Sequence, residues 1–267
     1  MRRWAFGIAL LAAACQQQAK APSKPAEITF DGANAIDAAD QIRHGQRLTQ
    51  VLGCTGCHRP NLQGGRFYEL YASNLTRELP NYSDAQFERL LRHAQRPNGR
   101  VLWAMPSHIF QHLSEPDLRA LLAYLRTLKP GGIPTQPMLP FEAETRALMA
   151  KGLIKPEAKL VTETRNVLPV DAGPQFALGR YITAVTCAEC HGSRLEGDPL
   201  GPTPNLIVAG GYTRAEFERL MTHGIAAGNR KINPLMMEVG QNRFPHFTPH
   251  ERDALYAYLK ARAARPQ

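Results

Sequence analysis

Five cysteines carry most of the chemical information in this chain of 267 residues: Cys15 stands alone, and the rest fall in two local pairs, Cys54/Cys57 and Cys187/Cys190. A histidine follows each pair, in Cys54-Thr55-Gly56-Cys57-His58 and Cys187-Ala188-Glu189-Cys190-His191. Both fit C-x-x-C-H, the attachment pattern of c-type haem. Two thiols one helical turn apart reach the vinyl carbons of one porphyrin, and the next residue projects its imidazole onto the iron. A four-cysteine zinc site would accept both pairs but gives no reason for histidine after each. A thioredoxin-like centre expects a single pair in a mixed α/β pattern, which is absent here. The pattern therefore implies two covalently bound haem c groups, held through Cys54, Cys57 and His58 and through Cys187, Cys190 and His191.

The elements that must position these residues occur twice. Tyr82-Ser83-Asp84-Ala85-Gln86-Phe87-Glu88-Arg89-Leu90 returns as Tyr212-Thr213-Arg214-Ala215-Glu216-Phe217-Glu218-Arg219-Leu220, and Ala123-Tyr124-Leu125 as Ala257-Tyr258-Leu259. With the cysteine motifs these make three blocks in the same order at nearly constant offset, so one domain is present in tandem. Each copy reads as helical. Ser83 and Thr213 are N-cap residues, Ser114-x-x-Asp117 resembles a capping box, and Thr248 precedes a proline at the first helical position. Few windows alternate as strands do. Aromatic residues, at 7%, are too sparse for a large aromatic core. The expected fold is all-α: two helical domains, each wrapped around one haem. The divisions are a signal over residues 1–15, a flexible tether over 16–34, domains over 35–128 and 173–267, and between them a proline-rich strap over 129–172 with a short helix near 142–152.

With these motifs and their duplication the chain resembles the class I cytochrome c family, over about residues 35–128 and 173–263. The resemblance implies a methionine as sixth iron ligand, on a loop before the last helix of each domain. Met105-Pro106-Ser107 looks like that loop in the first copy. In the second, aligning Arg100 with Lys231 puts Met105 on Met236, with Met237 as the alternative. It also implies a backbone carbonyl, often a proline's, that orients the proximal imidazole. Residues 201–206 look like that segment, but Ser73-Asn74-Leu75 offers no proline in the first copy. His93/His223 and His112/His246 are paired between copies and would allow bis-histidine ligation, or simply cap and pack helices. Trp103 and Arg100, with Arg230 and Lys231 in the other copy, are candidate partners of haem propionates.

Residues 1–15 read as a bacterial export signal. Arg2 and Arg3 form its positive region, and the apolar run from Trp4 to Ala14 is shorter than the ~20 residues that span a bilayer. Ala12-Ala13-Ala14-Cys15 resembles a lipobox, which makes Cys15 an acylated N-terminus and the protein a periplasmic lipoprotein, or a soluble periplasmic one without acylation. The formal charge of +9 falls to +7 without Arg2 and Arg3. A basic surface suits redox partners with an acidic docking face, on the dehydrogenase or the terminal oxidase side. Export argues against nucleic acid. The expected function is single-electron transfer by a membrane-anchored dihaem carrier. A dihaem peroxidase, or the cytochrome subunit of a membrane dehydrogenase, are the alternatives.

Overall fold

The structure, a computed structural model, describes residues 27–198, 201 and 203–265. The export signal, Cys15 and most of the expected tether lie outside the described residues. The first domain runs through α1 (Ala38–Val51), α2 (Cys54–Cys57), a hairpin of β1 (Gly65–Phe67) and β2 (Leu70–Ala72), α3 (Leu75–Glu78), α4 (Asp84–His93), α5 (Ser107–Phe110) and α6 (Glu115–Leu125). The strap contributes α7 (Ala143–Ala150) and α8 (Glu157–Thr164). The second domain follows with α9 (Ala177–Ile182), α10 (Ala188–His191), α11 (Arg214–His223), α12 (Pro234–Asn242) and α13 (Pro249–Ala263). The fold is all-α apart from the hairpin, whose short strands pair Gly65 with Ala72 and Phe67 with Leu70.

Local sequence explains the helix starts. Ser83 and Thr213 complete reciprocal capping boxes with Gln86 and Glu216, and Thr248 does so with Glu251, with Pro249 at the first helical position. Each box satisfies two backbone donors that a helix start otherwise leaves unpaired. Helix α1 begins at Asp37, whose carboxylate accepts from the amides of Ala39 and Asp40, and buries His44, Gly45, Leu48, Thr49 and Val51 along one face.

In both domains the first helix crosses the last at a glycine. A Cβ on Gly45 would overlap the carbonyl oxygen of Ala120 and lie 2.8 Å from Tyr124 Cβ. A Cβ on Gly179 would overlap the carbonyl of Ala254 and lie 2.5 Å from Tyr258 Cβ. No side chain fits between backbones this close, so glycine is what allows α1 to seat on α6 and α9 on α13.

The two domains pack on one another with a near-twofold exchange. Asp117 and Glu251, the third residues of α6 and α13, are both fully buried. Asp117 accepts from Tyr181 Oη of the second domain at 2.7 Å and pairs with His44 at 2.8 Å. Glu251 takes both guanidinium nitrogens of Arg47 from the first domain, at 2.8 and 2.9 Å. Arg47 and Tyr181 occupy the same place in the repeat, as do Asp117 and Glu251. Equivalent surfaces of the two copies therefore meet, as in an isologous dimer.

The expected tether over 16–34 ends sooner than the sequence indicated. Phe30 is only 1% exposed and packs against Tyr181 and Phe247, at ring separations of 5.4 and 6.3 Å. Its amide donates to Asp117, and the next amide, of Asp31, donates to Glu251. Residues 27–34 are thus stitched across the domain junction, because both buried carboxylates need further donors there. The strap lies along the first domain. Asn74 Nδ2 donates to the carbonyls of Gly131 and Ile133, and Thr145 Oγ1 to Glu69. The helix expected near 142–152 forms as α7; α8 carried no periodic signal of its own.

Candidate functional site

Each domain encloses an apolar cleft, of about 1080 Å³ in the first and 1910 Å³ in the second, both including the mouth. Cys54, Cys57, His58 and Met105 line the first, and Cys187, Cys190, His191 and Met236 the second. All eight residues singled out by the sequence are thereby gathered into two equivalent sites.

The cysteine pairs sit on single helical turns at the ends of longer helices. In the first domain Gly53 breaks the run at φ 78° and α2 restarts at Cys54. In the second, α9 passes through a π-helical stretch over Thr183–Cys187 and continues as α10. Burial pushes the Cys54 thiol up to about 12, and those of Cys57 and Cys190 up to about 11. Cys187 is raised by the same cause. Such thiols are protonated at neutral pH, unlike the activated thiolates of disulfide-exchange centres.

Both histidines are buried and held by a carbonyl. His58 Nδ1 donates to Ser73 O at 2.8 Å, and His191 Nδ1 donates to Pro204 O, also at 2.8 Å. A carbonyl only accepts, so the proton is on Nδ1 and the Nε2 lone pair is left for the cleft. Burial lowers both imidazole pKa values, which keeps the rings in the neutral form that can bind a metal. The missing proline at Ser73 therefore has no consequence: the donor meets a backbone carbonyl, whatever residue carries it. The second-domain carbonyl comes from the segment expected for it.

The methionines reach their clefts in different ways. Met105 lies in a tight turn: Ala104 is left-handed at φ 57°, the Met105 amide donates to Trp103 O at 2.7 Å, and the Ser107 amide to Met105 O at 2.7 Å. Helix α8 of the strap clamps this turn from outside. The Glu157 amide donates to Leu102 O, its buried carboxylate takes His108 Nδ1 at 2.9 Å, and Val161 packs with Leu90, Ala94 and Leu102. Met236 stands instead on helix α12, which Asn233 caps and Pro234 opens. Met237 is 39% exposed and lies outside the cleft lining, with its backbone turned against Gly224. The loop expected in the second domain is thus a helix, because Pro234 at its first position and the helix formers Leu235, Met236, Met237 and Glu238 follow the cap.

His93, His223 and His246 are exposed, and with His112 they lie outside both cleft linings. They are not placed for bis-histidine ligation. Trp103 lines the first cleft and meets Phe141 of the strap edge-on, with ring centroids 5.5 Å apart. Arg100 lies one step out, in a polar recess shared with Arg96, and Arg96 itself reaches the cleft. Arg230 and Lys231 line the second cleft, Arg230 lying over the Tyr212 ring and donating to its hydroxyl at 3.0 Å. Sequence reasoning missed Arg96, Glu157 and Arg243. Charged residues on helical surfaces look alike in a sequence, and no local pattern marked these three.

The residues fit a haem. Among the described residues no group of three or more His, Cys, Asp or Glu side chains is arranged to hold a metal ion. One imidazole and one thioether per cleft are too few donors for a bare ion, and suit an iron whose remaining ligands a macrocycle supplies. The apolar walls and the two buried thiols at the edge suit the macrocycle.

The family profile described as Cytochrome c matches residues 42–129 and again 176–263. The chain belongs to the cytochrome c family, whose domains bind haem c covalently. It is similar to the fructose dehydrogenase cytochrome subunit of Gluconobacter japonicus, 26% identical over 264 residues that cover 85% of this chain and 53% of that protein. It is similar also to the gluconate 2-dehydrogenase cytochrome c subunit of Pantoea cypripedii, 25% identical, with 57% of this chain and 38% of that one covered. The alcohol dehydrogenase (quinone) cytochrome c subunit of Gluconobacter oxydans is 26% identical, covering 62% and 38%. The chain spans about half the length of the first of these relatives, and less of the other two. Among the described residues no helix is long and apolar enough to cross a membrane.

Proposed function

We propose that this protein is an exported dihaem electron carrier that takes single electrons from a dehydrogenase and hands them to a further redox protein. One observation carries the reading: two separate clefts each gather a thiol pair, a neutral imidazole and a thioether. A haem bound in such a cleft supplies a reversible one-electron couple. The chain's own residues do the rest. Cys54 and Cys57, and Cys187 and Cys190, tie the group at its edge. His58 and Met105, and His191 and Met236, are the side chains that would hold its iron, which would leave no place there for a substrate. The apolar walls exclude water. A peroxidase would need one cleft without a sixth ligand, and both clefts have a methionine. A dehydrogenase as donor is supported by the relatives, three of which are cytochrome subunits of fructose, gluconate or alcohol dehydrogenases.

Haem analysis under denaturing conditions is expected to give two covalently bound haems per chain. Cys57→Ser and Cys190→Ser should each remove one or prevent accumulation. A single haem in the unmodified chain, or haem extracted by acidified solvent, would overturn the reading. The carrier is further proposed to be a periplasmic lipoprotein anchored through Cys15, with a basic surface that suits an acidic partner. The unmodified protein should then sediment with membranes and Cys15→Ser should not. Equal partition of the two would remove the anchor and leave the haem sites as they are.

A further inference from the structure

One charged pair lies between the two clefts and belongs to neither domain's repeat pattern. Arg243 caps the C-terminus of α12 and lines the second cleft. Its Nε donates to Val51 O of the first domain at 2.7 Å, at the last residue of α1. Its Nη1 pairs with Glu189 at 2.7 Å. Glu189 stands inside the second C-x-x-C-H motif, yet its side chain lines the cleft of the first domain. The guanidinium is seated against Gly53, where a Cβ would come within 2.9 Å of Cζ. So the glycine that precedes the first motif makes room for an arginine from the other domain. Nη2 is buried and has no hydrogen-bond partner.

We propose that Arg243 and Glu189 form a charge bridge between the two haem sites, which fixes the attachment motifs against each other and sets the reduction potentials of both haems. This rests on the dihaem reading above. The physical argument is geometric. Val51 and Gly53 precede Cys54, and Glu189 lies between Cys187 and Cys190, so one ion pair touches the attachment edges of both clefts. Both side chains are only partly exposed, so their charges are screened less than at the open surface and act on both irons. Oxidation adds one positive charge to a haem. The guanidinium therefore opposes it and the carboxylate favours it. The two act on each iron with opposite sign, so the potentials are set by their balance, and their pairing offsets the cost of drawing either charge away from water.

The test is a redox titration, followed by visible absorbance, of the full chain with both haems counted first. Glu189→Gln leaves the positive charge and should raise the midpoint potentials. Arg243→Gln leaves the negative charge and should lower them. Each shift should be roughly tenfold in the reduction equilibrium, ~59 mV for one electron. Arg243→Lys keeps the charge and should hold the potentials near those of the unmodified protein. Opposite signs are the signature, since looser packing alone would move both variants the same way. Two haems with potentials unmoved, or moved in one direction by both substitutions, would overturn the bridge and leave the carrier reading intact. Fewer than two haems in the unmodified chain would overturn the carrier reading, and the bridge with it. If Arg243→Gln does not accumulate, Glu189→Gln decides alone: a rise supports the bridge and no rise removes it.

Discussion

Met105→Ala and Met236→Ala are each expected to let carbon monoxide bind about half of the reduced haems, whereas the unmodified protein binds little. The expectation follows from what holds each thioether. Met105 is set in a turn closed by two backbone hydrogen bonds and backed by α8, and Met236 is carried on a capped helix. An exogenous ligand must displace the thioether before it can reach the iron, and alanine has nothing to displace. The two sites should differ in ease of opening. The Met105 turn is clamped through Glu157, which is 3% exposed, while α12 has no strap against it. Partial carbon monoxide binding by the unmodified protein should therefore occur first at the second domain, and Met236→Ala should abolish that slow phase. Met237→Ala should leave ligation unchanged, since Met237 lies outside the cleft lining. Stoichiometric binding by the unmodified protein would overturn the methionine assignment and reopen the peroxidase alternative.

Gly45→Ala is expected to be among the most destabilising single substitutions outside the haem sites. The added methyl would overlap the carbonyl of Ala120. A backbone atom cannot rotate away, so α1 must lift off α6 and take Leu48 and Val51 out of the core with it. Overpacking alone costs about 1–3 kcal/mol, and a clash that separates two core helices lies at or beyond the top of that range. For a domain of this size, ~3 kcal/mol lowers the melting temperature by roughly 10–20 °C. Gly179→Ala should act alike in the second domain. Gly211→Ala is the control: a Cβ there meets nothing within 4 Å, so its effect should stay within about 0.5 kcal/mol. Thermal unfolding of the haem-loaded protein, followed by absorbance, reads all three. Gly45→Ala melting alongside Gly211→Ala would show that the crossing has slack.

The residues that line the two clefts were legible in the sequence to different depths. Cys54, Cys57 and His58, and their counterparts, could be read directly, because thioether attachment demands a fixed local spacing and the chain repeats it. Met105 came from the family resemblance and Met236 from its register on Met105; no spacing rule links either to the histidines, since a methionine can reach a cleft from any segment that packs against it. The capping boxes at Ser83, Thr213 and Thr248 were equally readable, being contacts within four residues. So was the all-α class.

What the sequence determined by itself is therefore local and repeated: two C-x-x-C-H motifs, the helix starts, and the duplication that makes two cytochrome c domains, each with its own cleft. Only the tertiary structure decided which atom serves a role open to any residue. Ser73 replaces a proline because a backbone carbonyl has no side-chain signature. It also decided where unpaired charge must go. Asp117, Glu251 and Glu157 are buried, and Arg243 is largely covered, because partners from distant segments meet them, and a buried charge without such partners would cost several kcal/mol. Phe30 reads as tether in sequence and as core in the fold for the same reason. Its place is set by the junction of two domains, and no stretch of sequence around it encodes that surface.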